Sequence, residues 1–129
     1  MQFSVLVVDD DPDNRDVLAE YLRFCGFDVC SACNGSEALS IARTVRPQVV
    51  LMDLAMPGLD GFETTRRMKA DPLTRDAVVC AVTALALPAD QQSARDAGCE
   101  AVFIKPIDVS LLAAEIERLA RGIGRSCAS

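Results

Sequence analysis

Histidine and tryptophan are absent from this chain of 129 residues, tyrosine occurs once, and aromatic residues make up only 5% of it. Without histidine the commonest general base is missing, and no imidazole is available to complete a zinc site. Positive charge is also scarce. Thirteen Lys and Arg stand against 19 Asp and Glu, a formal charge of -6. With a pI near 4.5, such a chain lacks the basic surface that neutralises nucleic-acid phosphates, so direct nucleic-acid binding is not expected. No apolar run reaches the roughly 18 residues needed to span a bilayer. Met1 leads directly into a strand-like segment, with no basic region or cleavage site. The expectation is a cytoplasmic protein without a membrane association.

What is present is enough apolar residue, 50% of the chain, to bury one full core. Six cysteines (Cys25, Cys30, Cys33, Cys80, Cys99 and Cys127) make an even count in a short chain. A disulfide framework belongs to secreted chains, however, and Cys30 and Cys33 lack a second Cys pair to form a metal site with. They read as ordinary small apolar residues.

Five apolar, β-rich runs recur: Phe3 to Val8, Phe27 to Cys33, Gln48 to Met52, Ala77 to Val82, and Ala101 to Ile104. Each is followed by a segment of helical period. The first helix has Asp11 as its candidate N-cap and Pro12 at its first position, carries an apolar stripe of Val17, Leu18, Tyr21, Leu22 and Cys25, and stops at Gly26. Further helices are expected from about Ser36 to Val45, Phe62 to Ala70, Pro88 to Gly98, and Asp108 to Arg121, the last ending at Gly122. Continuously apolar strands joined by crossover helices imply an α/β, doubly wound parallel sheet with helices on both faces. The domain is expected over residues 1–122, with 123–129 as a C-terminal tail.

In open α/β sheets, ligands bind beyond the carboxyl ends of the strands. Strand one ends in Val8-Asp9-Asp10-Asp11, strand three in Met52-Asp53, strand four in Val82-Thr83 and strand five in Ile104-Lys105-Pro106. Carboxylates, a hydroxyl and an ammonium therefore gather on one edge. Singly, each has a structural explanation as a cap, a turn former or a solvated charge. Together they exceed that need, because a helix needs one capping carboxylate and strand one supplies three in a row. Carboxylates from adjacent strands repel one another, so at least one should have a raised pKa unless a cation intervenes. Hard oxygen ligands of this kind suit Mg²⁺. Beside such an ion, an ionised Asp can attack phosphorus while the ammonium balances the charge on the phosphoryl oxygens.

Four motifs, Leu6-Val-Val-Asp-Asp-Asp-Pro12, Asp53-Leu-Ala-Met-Pro-Gly-Leu-Asp-Gly61, Val82-Thr-Ala84 and Ala101-Val-Phe-Ile-Lys-Pro-Ile107, resemble the response-regulator receiver domain in order and spacing. Asn34-Gly-Ser-Glu-Ala-Leu39 and Ala97-Gly98 match supporting positions, so the resemblance spans essentially the whole chain. It implies a five-stranded sheet of order 2-1-3-4-5, and a signalling module, not an enzyme, that accepts a phosphoryl group on Asp53. The donor would be the phosphohistidine of a histidine kinase or histidine phosphotransfer protein. It also implies Asp10 as direct Mg²⁺ ligand, Asp9 acting through metal-bound water, Asp53 as a further metal residue, and the Ala55 backbone carbonyl completing the protein's share. Thr83 and Lys105 would contact the phosphoryl group, and the Lys105–Pro106 peptide would be cis. A downstream protein partner would be met by strands four and five and the last two helices. Met56-Pro57 and Gly61 would shape the loop behind Asp53 by simple turn chemistry.

One position departs from the family pattern. Many receivers carry a switching aromatic residue three places before the lysine, where this chain has Val102, and the aromatic Phe103 follows it. Since a strand reverses face at each residue, Phe103 should point the other way. Two other readings are set against phosphotransfer. A pseudo-receiver, a phosphorylation-independent protein-binding module, would gain nothing from an uncompensated acidic pocket. A phosphatase with an aspartate nucleophile would want a second carboxylate two residues on, where Ala55 stands.

Overall fold

The computed structural model describes residues 3–56, 58 and 60–128, with side chains as far as residue 122. Strands and helices alternate along the chain: β1 Ser4–Val8, α1 Pro12–Phe24, β2 Asp28–Ala32, α2 Gly35–Val45, β3 Val49–Met52, α3 Gly61–Ala70, β4 Val78–Thr83, α4 Pro88–Ala97, β5 Ala101–Ile104 and α5 Val109–Ala128. All strand pairs are parallel, and the sheet order is β2-β1-β3-β4-β5. β3 and β1 after Ser4, buried on both faces, read as unbroken Val, Leu and Met for that reason.

The strand pleat divides the core into two layers. Leu6, Val8, Val50, Met52, Val79 and Ala81 pack on one face with Ala38 and Ala42 of α2, Met68 of α3 and Ala94 of α4. Val5, Val7, Val49, Leu51, Val78 and Cys80 pack on the other with Leu22 of α1 and Leu112 and Ile116 of α5. The helix starts follow from side chains that accept the first free amides: Asp11 from Asp13 and Asn14, Asn34 from Glu37, and Asp60 from Glu63.

Two expectations about helices are corrected. The buried line of α1 is Ala19 and Leu22, whereas Val17 is 65% exposed. At about 100° per residue, Val17 falls outside the arc centred on Leu18, Ala19 and Leu22. Gly122 does not stop α5, which continues to Ala128. A glycine ends a helix by adopting a left-handed conformation, as Gly98 does after α4 with φ 117°, and Gly122 is not among the glycines of positive φ. Of the cysteines, Cys25, Cys30, Cys33, Cys80 and Cys99 are free thiols, and Cys127 lies outside the described side chains. Burial pushes the Cys80 thiol up to about 12 and raises that of Cys99, so both behave as inert core residues.

Candidate functional site

The C-terminal ends of β1 and β3 are neighbours, with Val8 opposite Met52, so the next residues on each chain, Asp9 and Asp53, emerge side by side. The ladder continues one step beyond the strands: the Asp53 amide donates to the Val8 carbonyl at 3.0 Å, and the Asp9 amide to the Ala32 carbonyl at 3.1 Å. Carboxylate oxygens of Asp9, Asp10 and Asp53 lie within 4.8 Å of one another. Asp9 and Asp53 are buried and Asp10 is exposed. β5 brings the counter-charge. Lys105 Nζ stands 3.6 Å from Asp9 Oδ2 and 3.6 Å from Asp53 Oδ2.

The remaining oxygens of the two buried carboxylates are held by the backbone. Asp9 Oδ1 accepts the Asp11 amide at 2.9 Å, and Asp53 Oδ1 accepts the Ala55 amide at 3.0 Å. Asp9 has its pKa raised, first by desolvation and also by the charges of Asp53 and Asp10. The Asp11 amide and Lys105 act against that rise without cancelling it. Asp11 itself is turned away as the cap of α1, so the edge carboxylates have separated into a cluster and a cap. Three oxygen donors with a net negative charge, partly open to water at Asp10, form a donor set that fits a small hard cation such as Mg²⁺.

Thr83 ends β4 as a fully buried residue, and its hydroxyl accepts the Leu85 amide at 3.1 Å. The Lys105 amide donates to the Thr83 carbonyl at 2.8 Å, which ties the two site-bearing ends together. The Lys105–Pro106 peptide is cis. Val102 packs in the layer of α2, α3 and α4, and Phe103 in the layer of α1 and α5, so the aromatic does face away as the strand period predicts.

Gly61 requires a correction. Its φ is not positive, and turn chemistry does not explain it; a Cβ there would lie 2.3 Å from the Asp53 carbonyl oxygen and 2.7 Å from Leu54 Cα. The residue is glycine because α3 starts in contact with the backbone of the Asp53 loop. Met56 within that loop is buried, and Pro57 lies outside the described residues. One contact has no sequence signal: Arg15, from the first turns of α1, donates from Nη1 to the Asp9 carbonyl at 2.9 Å. An arginine there would ordinarily be read as solvated.

Comparison with known proteins agrees with this arrangement. The profile described as "Response regulator receiver domain" matches residues 5–117. The polar-differentiation response regulator DivK of Brucella anthropi is 38% identical over 109 residues, covering 84% of this chain and 89% of that protein. Among solved structures, the receiver domain of a DNA-binding response regulator from Colwellia psychrerythraea is 33% identical, with a TM-score of 0.84 over 93% of this chain and 99% of that one. The Vibrio cholerae chemotaxis protein CheY4 is 26% identical, with a TM-score of 0.87 over 92% and 99%. From the acidic edge, the strand order and these likenesses together, the chain belongs to the response regulator receiver family, the receiving domains of two-component signalling.

Proposed function

We propose that Asp53 is the phosphoacceptor of this receiver and that its phosphorylation by a partner's phosphohistidine changes which protein the domain binds. The observation that carries this reading is the convergence of Asp9, Asp10 and Asp53, with the Lys105 ammonium against Asp9 and Asp53. A carboxylate oxygen of Asp53 attacks phosphorus, a P–O bond forms, the P–N bond to the donor imidazole breaks, and the imidazole leaves with the bonding pair. Lys105 lies against Asp53 Oδ2 and takes up charge gathering on the phosphoryl oxygens, and Thr83 donates its O–H to one of them. Asp10 would hold Mg²⁺ directly, with Asp53 and the Ala55 carbonyl contributing and Asp9 acting through water. When bound, the ion would supply charge neutralisation for the transfer. Because Asp53 Oδ1 is already oriented by the Ala55 amide, the nucleophile is positioned before the donor arrives.

The donor is a histidine kinase or a histidine phosphotransfer protein, since the chain has no histidine of its own. The responding surface is formed by β4, β5, α4 and α5. No described helix is long and apolar enough to cross a membrane, which fits action in the cytoplasm beside the donor. The test is intact mass after incubation with acetyl phosphate and Mg²⁺. One added phosphoryl group is expected on the parent and none on Asp53→Asn; a parent of unchanged mass would favour a phosphorylation-independent binding module.

A further inference from the structure

The β1–α1 connection is held by a chain of hydrogen bonds that closes on itself through the Arg15 side chain. The Asp11 amide donates to Asp9 Oδ1, and Asp11 Oδ1 accepts from the Asp13 and Asn14 amides. The Arg15 amide donates to the Asp11 carbonyl at 2.9 Å, and Arg15 Nη1 returns to the Asp9 carbonyl at 2.9 Å. Arg15 is half-buried, while Asp13, Asn14 and Asp16 around it are exposed. Its guanidinium bonds a carbonyl, not a carboxylate. That distinguishes it from Lys105, which lies against the carboxylates of Asp9 and Asp53 themselves.

This contact has a geometric consequence. The peptide between Asp9 and Asp10 is planar, so holding the Asp9 carbonyl also holds the Asp10 nitrogen and the direction in which the Asp10 Cα leaves it. Asp10 is the exposed member of the cluster, and its carboxylate accepts none of the amides that hold Asp9 and Asp53. A charge-assisted bond from a forked, permanently cationic donor is the kind that fixes such a plane. Bonding the carbonyl, it occupies none of the carboxylate oxygens that a cation would need.

We infer that Arg15 is a positioning residue of the metal site, which sets the Asp9–Asp10 peptide plane through the Asp9 carbonyl and thereby presents the Asp10 carboxylate to Mg²⁺. This rests on the reading of Asp9, Asp10 and Asp53 as the cation site. The test is calorimetric titration with Mg²⁺ alone of the parent, Arg15→Ala, Arg15→Gln and Arg15→Lys, each first shown by urea melting in chelator to be folded. Arg15→Ala should weaken Mg²⁺ binding by about tenfold, the lower end of what loss of a group supporting a metal ligand costs. Arg15→Lys, which keeps a cationic donor able to reach a carbonyl, should recover most of that loss. A structural contribution alone would lower the urea midpoint without this recovery. If Arg15→Ala does not fold, Arg15→Gln against Arg15→Lys carries the same comparison. Parental affinity in Arg15→Ala or Arg15→Gln, or equal weakening in the Lys variant, would overturn the role of Arg15 while leaving the cation site intact. A parent that fails to bind Mg²⁺ would overturn the site reading and this inference together.

Discussion

Asp9 carries the electrostatic cost of the site. Its carboxyl titrates above its ordinary value of 3.8 because burial, Asp53 and Asp10 all disfavour the charged form. A carboxyl raised in the folded state favours folding while protonated. Its contribution is complete below the unfolded pKa and is lost as pH rises through the folded one. In chelator, the parent should therefore lose stability relative to Asp9→Asn as pH climbs from 3.8 through the acidic range. Urea midpoints of both proteins across that range check this, and the lowered carboxyls of Asp71 and Glu63 cancel in the difference. Asp53 stands in the same cluster, so Asp53→Asn should stabilise the metal-free protein at neutral pH by about 1 kcal/mol. Equal or lower stability would count against carboxylate repulsion, with Lys105 already balancing the pocket. Gly61 gives a prediction of opposite sign. Gly61→Ala drives a methyl into the Asp53 carbonyl and should cost about 1–3 kcal/mol while slowing phosphorylation by acetyl phosphate.

Among the elements, α4 is lightly held, and it lies directly after the Thr83 hydroxyl, which on the proposed reading would meet the phosphoryl group. It buries only Ala94 and Ala97, and its N-cap Leu87 is 68% exposed and makes no side-chain cap bond. Such an element shifts at low free-energy cost. The Thr83 hydroxyl accepts the Leu85 amide, so drawing that hydroxyl toward a phosphorylated Asp53 pulls on the loop that leads into α4. Val102 has no aromatic ring to swing, and Phe103 sits in the opposite layer, so the change should stay within the β4–α4 loop and the start of α4. Beryllofluoride should then shift amides from Ala84 to Ala97 in the parent and much less in Thr83→Ala. Equal shifts in the two proteins would exclude Thr83 as the transmitter.

For the whole molecule, ligand binding and folding are linked, because the cluster exists only when β1 and β3 are paired. An unfolded chain offers no such site. At Mg²⁺ concentrations about 100 times Kd, the folded protein should gain about 2.7 kcal/mol, and Asp10→Asn should lose most of that gain in urea melts at constant ionic strength. The same dependence on strand pairing explains how far the sequence could be read. Strand and helix positions were legible because apolar period and caps such as Asp11, Asn34 and Asp60 are local, encoded within a few residues of where they act. The grouping of Asp9, Asp53, Thr83 and Lys105 was legible because strand ends in a parallel sheet share one edge, so it needed no coordinates. Three features belong to the tertiary structure alone. Gly122 lies inside α5 because a glycine stops a helix only where the chain turns left-handed, which composition does not dictate. The reason for Gly61 is the backbone of a loop that must first be folded against it. Arg15 reaches the Asp9 carbonyl because α1 turns back over the end of β1, a contact between groups whose residue types would be equally at home in solvent.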